Sequence, residues 1–441
     1  MANSLQMENL ASSVEPHIMD ITRRLRNAGF ETYIVGGAVR DLLLGRAPKD
    51  YDLSTSATPE EVRRVFGGRL TKIIGKRFRL AHIHRGNEII EVSTFRRAPS
   101  VSADGVVTLP DDNEYGTAEE DAWRRDFTVN ALFYNPIDRE IVDHTGMGIT
   151  DLENGVVRVV GEPLERFEED PVRVLRALKL VGQYSFLLEP GTDAALVESI
   201  PLISRCSHSR LTLELEKIIK KPYSHLILEA FRKKGLLAYY LPFLNEHWES
   251  PEVEYMLALM RERNKRLLSG KYRDSLSLAI ATIALPFVNV AIPEEDDCLL
   301  GPWDVRRDAF RELRRLVRSL VAPYNFPRRV LASAVEVIMF QPSILGKRHR
   351  KRMMASRRYQ HARELMVLQN NVRLGDPSLE EYWPPHGKRS DSSFDRDLKG
   401  LDDDRRNRRG GRGRGDKGRG GKDNSKGKQR PRDAEGNRRT G

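Results

Sequence analysis

The chain has 441 residues, room for two or three domains, and carries 74 Lys or Arg against 63 Asp or Glu. Its two cysteines exclude a disulfide framework and a cysteine-rich zinc site, and predict a reducing, cytoplasmic setting. The whole net charge of +11 is matched by residues 405–441, which hold 15 basic and 4 acidic side chains, so the preceding 404 residues are neutral and the tail alone calls for an anionic partner.

In chain order, the first informative segment is Tyr33 to Asp52. Tyr33-Ile-Val35 is a short β-branched run, and Gly36-Gly37 ends it where residues without a Cβ let backbone amides approach a phosphate. Arg40 stands one helical turn beyond Gly37. Tyr51 to Ser54 reads as a second strand, and on a strand positions i and i+2 share a face, so Asp50 and Asp52 point the same way. Two carboxylates on one face suit Mg²⁺, a hard ion that prefers oxygen. Attack on the α-phosphate of a nucleoside triphosphate needs charge stabilised on the entering and leaving oxygens, which two Mg²⁺ ions about 3.5 to 4 Å apart accomplish. The competing reading of such acids is helix capping. Thr58-Pro59-Glu60-Glu61 supplies a cap of its own, however, and Asp50 and Asp52 lie too far upstream to serve that helix.

Lys76, Arg77 and Arg79 precede a strand and are candidate phosphate contacts for RNA or nucleotide; the alternative is a solvated basic turn. Phe78 and Leu80 face the core in this reading. Glu88 to Phe95 alternates as a half-buried strand with Glu91 on it, and Glu91 is one candidate for a third catalytic carboxylate. Asp126, in Arg124-Arg125-Asp126-Phe-Thr-Val-Asn130, is the other. Arg125 is placed to meet a triphosphate, with Asp126 and Asn130 available to ribose hydroxyls.

Asp170 as N-cap and Pro171 as first residue predict a helix carrying Arg173, Arg176 and Lys179. A carboxylate beside a guanidinium accepts from an exocyclic amine and donates to the adjacent ring nitrogen, a pattern offered by adenine and cytosine. Asp170 and Arg173 therefore form a candidate base reader; a capped helix with a charged face is the plainer alternative. From Pro163 onward the periodicity is helical, with stripes through Leu213–Ile219, Leu226–Leu241, Leu276–Val288, Phe310–Val321 and Val330–Phe340. Residues 275–292 are apolar but short and hold Pro286 and Asn289, so they predict a buried helix and no membrane span. No secretory leader is evident. Residues 346–360 form a second basic cluster. The tail, with Arg408, Arg409, Arg412 and Arg414 among glycines, has almost no apolar residues and predicts a disordered RNA-gripping segment.

Four motifs in this order, Val35-Gly-Gly-Ala-Val-Arg-Asp41, Lys49-Asp-Tyr-Asp52, Arg124-Arg-Asp-Phe-Thr-Val-Asn-Ala131 and Glu169-Asp-Pro-Val-Arg-Val-Leu-Arg-Ala177, resemble the class II template-independent nucleotidyltransferases. That family contains bacterial poly(A) polymerases and CCA-adding tRNA nucleotidyltransferases. The resemblance covers roughly residues 15–240. It implies that Asp50 and Asp52 bind metal, that Gly37, Arg40 and Arg125 contact the triphosphate, and that Asp170, Arg173 and Arg176 line the base pocket. Lys179 and Leu180 depart from the family's arginine and phenylalanine. Ile73 to Ile83 resembles a signature of the poly(A) branch.

The expected architecture is α+β. A nucleotidyltransferase head with a small mixed sheet spans 15–160 after an extension over 1–14, then a helical neck over 161–240, a helical RNA-binding body over 241–385 and a basic tail over 386–441. The expected activity is transfer of AMP from ATP to RNA 3′ ends, mRNA included, with two Mg²⁺ ions. By the resemblance, the added tails promote RNA decay, with decay machinery as a further partner. The rival activities are CCA or A addition to tRNA, and non-catalytic RNA binding.

Overall fold

A computed structural model describes residues 10–75, 79–86, 88–97, 100–101, 107–108, 115–272, 275–292 and 303–385. Lys76, Arg77 and Phe78 fall outside these residues, as do the tail residues Arg408, Arg409, Arg412 and Arg414. The architecture is α+β, as expected: a mixed sheet with helices, followed by a long, mostly helical region in which Leu187–Leu188 forms a short strand paired in parallel with Val156–Val157, so the stretch expected to be a helical neck is not helical throughout.

Among the described residues, nine strands fall between Thr32 and Val142: β1 (Thr32–Val35), β2 (Asp52–Thr55), β3 (Thr71–Ile74), β4 (Leu80–Arg85), β5 (Glu88–Thr94), the short pair β6 (Ser100–Val101) and β7 (Val107–Thr108), β8 (Phe133–Asn135) and β9 (Glu140–Val142). Seven form one sheet in the order β3-β4-β5-β2-β1-β8-β9. All neighbours are antiparallel except β2 and β5, which run parallel.

One face of the sheet is apolar and covered, whereas the other is apolar and covered around Val35, Phe95 and Phe133 and leaves Asp52 and Glu91 exposed. Ile34, Leu53, Ala81, Ile83, Ile90 and Val92 join the main core, which also receives Ile18, Ile21 and Leu25 from the helix Pro16–Asn27. Their i, i+3, i+7 spacing gives that helix its buried stripe. The opposite face, with Val35, Phe95 and Phe133, is covered by Ala118 and Ala122 of the helix Ala118–Trp123. That helix and Pro59–Phe66 each begin with a complete capping box, Thr117 with Glu120 and Thr58 with Glu61. The Thr58–Glu61 box is the cap that the spacing predicted.

The main core is continuous from the sheet into the helices beyond residue 163. The helix Val172–Tyr184 packs so tightly on Ser224–Lys233 that a Cβ on Gly182 would lie 2.6 Å from Ile227 Cα. Only glycine fits there. Leu276–Ala284 is buried, as its apolar run predicted, and no helix among the described residues is long and apolar enough to cross a membrane. Farther along, Arg266 Nη2 donates to Glu364 Oε2 at 2.9 Å in a buried pair, and Trp383 donates to the Ile344 carbonyl at 2.8 Å.

Candidate active site

The parallel pairing of β2 with β5 places Asp52 directly opposite Glu91. Partners in register share a face, so both carboxylates leave the sheet on the same side. β4 adds His82 opposite Glu91, with Nε2 at 3.3 Å from Oε1. Asp50 lies in a bend before β2, which begins at Asp52, one residue later than the alternation suggested. The residue between them, Tyr51, is buried and donates its hydroxyl to the Ser13 carbonyl at 3.4 Å, which fixes the bend.

Asp52 reaches solvent although protein surrounds it on most sides, and this enclosure is the main reason its carboxyl is pushed above the ordinary aspartate value. The negative charges of Glu91 and Asp50 push it further, and Arg125 offsets part of the effect. The three acids thus face an excess of negative charge. Among the described residues, the trio whose ligand atoms all lie within 4.8 Å of one another is instead Glu15, His17 and Glu88 at the surface. The hard oxygen donors and the only partly offset negative charge at Asp50, Asp52 and Glu91 fit Mg²⁺.

Beside the acids, the turn after β1 is shaped around Arg125. Gly36 has φ +71°, a conformation costly for any residue with a Cβ, and a Cβ there would also stand 3.2 Å from Arg125 Nη1. Arg125 Nη2 donates to Asp121 Oδ2 at 2.9 Å and Ser54 Oγ at 3.3 Å, while its guanidinium rests 4.9 Å from the Phe133 ring centroid. Asp121 is buried and was not singled out in the sequence, although its i, i+4 spacing to Arg125 was visible.

Arg40 is buried and already held. It donates to Asn130 Oδ1 at 2.6 Å, to the Tyr184 hydroxyl at 2.7 Å and to Asp41 Oδ1 at 2.9 Å, and lies 4.5 Å from the Tyr184 ring centroid. Tyr184 in turn donates to Asp41 at 2.6 Å. The network joins the helix Gly37–Leu43, which follows the glycine turn, to the end of Val172–Tyr184.

Asp126 belongs to this side of the site. Its Oδ1 accepts from Asn130 Nδ2 at 3.0 Å, and Oδ2 lies 3.7 Å from Arg176 Nη1. Of the two candidates for a third carboxylate, Glu91 is the one the fold sets against Asp52.

The helix carrying Arg173 and Arg176 begins at Val172 with Pro171 in the cap position, one residue later than predicted. Asp170 still accepts from the Val172 amide at 3.3 Å, and its other oxygen accepts from Arg210 at 2.9 Å. Arg173 donates to Glu169 at 3.0 Å and to the Arg166 carbonyl at 2.5 Å. Asp170 and Arg173 are therefore close in sequence but engaged with different partners. A recess of about 360 Å³ opens beside them, lined by Glu169, Pro171, Leu202, Cys206, Ser207 and Arg210 among others. Lys179 is turned to Glu214 at 3.3 Å, and burial lowers its pKa against that pairing. Arg79 of the basic turn pairs with Glu60. In the later basic cluster, Arg358 donates to Glu336 at 2.8 Å and Arg350 to the Tyr382 carbonyl at 3.0 Å.

Comparison with known proteins gives a consistent picture. Residues 32–158 match the family described as "Poly A polymerase head domain", and residues 185–247 the one described as "Probable RNA and SrmB- binding site of polymerase A". A Poly(A) polymerase I of Salmonella typhimurium is 31% identical over 411 residues, covering 89% of this chain and 86% of the relative. A Poly(A) polymerase I of Haemophilus influenzae is 40% identical over 246 residues, about half of either chain at 54% each. A crystal structure of the Bacillus stearothermophilus CCA-adding enzyme in complex with CTP superposes with a TM-score of 0.59 at 28% identity, covering 84% of this chain and 82% of that one.

Proposed function

Because the chain belongs to the nucleotidyltransferase family of poly(A) polymerases and CCA-adding enzymes, we propose that it adds AMP from ATP to RNA 3′ ends without a template. The observation that carries this reading is the pairing of Asp52 with Glu91 beside Asp50, an acid group short of positive charge, next to Arg125. In the reaction, the RNA 3′-hydroxyl oxygen forms a bond to the α-phosphorus and the bond to the bridging oxygen breaks, releasing pyrophosphate. Asp50 and Asp52 would hold Mg²⁺, which supplies Lewis-acid stabilisation of the entering and leaving oxygens. Glu91 stands opposite Asp52 to accept the hydroxyl proton. Arg125, oriented by Asp121 and Ser54, meets the triphosphate, with Gly36 and Gly37 giving it room. Arg40 and Asn130 keep the adjoining helix in place and offer polar groups to phosphate and ribose.

For the base, Asp170, Arg173 and Arg176 are the proposed readers, and ATP entry would exchange the Asp170–Arg210 and Arg173–Glu169 contacts for contacts to adenine. The neck, body and tail hold the RNA, and the added tails mark it for decay in the cytoplasm. The poly(A) reading draws support from the two Poly(A) polymerase I relatives and from Ile73–Ile83. The CCA-adding reading draws on the likeness to the Bacillus enzyme.

Extension of a generic single-stranded RNA and of a tRNA lacking its CCA end, with Mg²⁺ and single nucleotides, separates them. Long ladders from ATP on the generic RNA establish poly(A) synthesis. Extension confined to the tRNA and halting after the CCA length assigns the other activity, and no extension of either leaves RNA binding alone.

A further inference from the structure

The helix Trp303–Leu320 turns Leu313, Leu316, Val317 and Leu320 into the core and packs on Leu276–Ala284 and Arg328–Met339. Its outer face carries Arg307, Arg311, Arg314, Arg315 and Arg318, all exposed, around a half-buried Phe310. These six residues line a recess of about 630 Å³. Acids on the same helix occupy some of the arginines: Asp308 pairs with Arg307 and Arg311, and Glu312 accepts from Arg315 at 2.7 Å. Arg314 and Arg318 have no carboxylate partner among the described residues, and Arg314 leans over Phe310 at 5.9 Å.

Asp308 and Glu312 offset Arg311 and Arg315, but Arg314 and Arg318 place like charges at i, i+4 without such an offset, an arrangement that costs a solvated helix a little stability. A row of cations with an aromatic ring among them has the chemistry for a single strand, with phosphates on the guanidinium groups and a base on the ring.

We propose that this face is a second anchoring site for single-stranded RNA, taking phosphodiesters on Arg311, Arg314 and Arg318 and a stacked base on Phe310. It deepens the proposed function, resting on RNA being the substrate, and gives the body a defined contact with the strand. The aromatic ring set within the row of guanidinium groups favours a strand that offers both phosphates and bases over an acidic protein as its occupant.

The test is equilibrium binding of a long oligoadenylate to the full chain across a salt series, without ATP. Comparison is made among wild type, Arg314→Gln/Arg318→Gln, the charge-keeping Arg314→Lys/Arg318→Lys, and Phe310→Leu. If the site binds RNA, the glutamine variant loses affinity about tenfold at moderate salt, and the slope of log K on log salt falls by about 1.4, two phosphates at about 0.7 each. The lysine variant retains the slope, and Phe310→Leu weakens binding with the slope unchanged. Extension from a short primer at saturation stays at the wild-type rate in all three. An unchanged slope in the glutamine variant, with the thermal melt also unchanged, overturns the proposal. Because binding is read without catalysis, a chain that fails to polymerise but shows the slope change sinks the polymerase reading alone.

Discussion

The two sides of the site are charged in opposite ways. On the strand side, Asp50, Asp52 and Glu91 oppose one another with Arg125 as a partial offset. On the helix side, each acid is already answered: Asp170 by Arg210, Glu169 by Arg166 and Arg173, Asp126 by Asn130 with Arg176 nearby, Glu214 by Lys179. The first side carries negative charge that a cation would offset, and on the second the acids are already paired. Substitution should therefore cost chemistry on one side and selectivity on the other.

The largest break is Asp52→Asn. Removing one anionic ligand should lower AMP incorporation on the order of a thousandfold, about 4 kcal/mol of transition-state stabilisation, measured with labelled ATP. The same change should raise Tm at neutral pH. The folded-state pKa of Asp52 lies above its unfolded value, so the native state binds protons more readily and ionisation of Asp52 costs stability above that raised value. The Tm gain should shrink as pH falls through it, and Mg²⁺ should raise the Tm of the wild type more than that of the variant. A lower Tm in the variant at neutral pH would contradict the charge excess.

Next is Arg125→Gln, which removes the counter-charge of the strand side and should reduce kcat/KM for ATP by about 10- to 100-fold, the range of a charged hydrogen bond. Gly36→Ala should cost about 1–2 kcal/mol of stability from its positive φ and crowd Arg125, read together by denaturant melts and ATP kinetics. The smallest effect belongs to Arg210→Ala. It frees Asp170 and should alter the ATP to CTP incorporation ratio by only a few-fold, about 1 kcal/mol or less, with kcat little changed. A thousandfold loss there would erase the distinction between the two sides.

The strand side was largely legible from local pattern. Asp52 opens a strand whose propensity opposes aspartate, Asp50 lies in the bend just before it, and Glu91 alternates with apolar neighbours. The choice between Glu91 and Asp126 was not legible, because it depends on which distant strands pair and in what register. The partners of the helix carrying Arg173 and Arg176 were hidden for the same reason: Arg210 lies 40 residues from Asp170, and nothing in the local sequence announces their meeting. The one-residue offset at Pro171 is local, since proline occupies the cap position with helical angles and displaces the start to Val172. Asp121 could have been read from its spacing to Arg125, whereas Tyr184 as a partner of Arg40 required the folded chain.

The parallel union of β2 and β5 also bears on how this chain can vary. Everything between the two strands, including β3 and β4, is a detour that returns Glu91 to the same place, so turns within it can lengthen or shorten without moving the acids. A single inserted residue inside β5 ahead of Glu91 is different in kind. With a side-chain period of two, it would turn Glu91 to the other face of the sheet, into the main core. Length changes are tolerable along most of the detour and disabling within a few residues at its end.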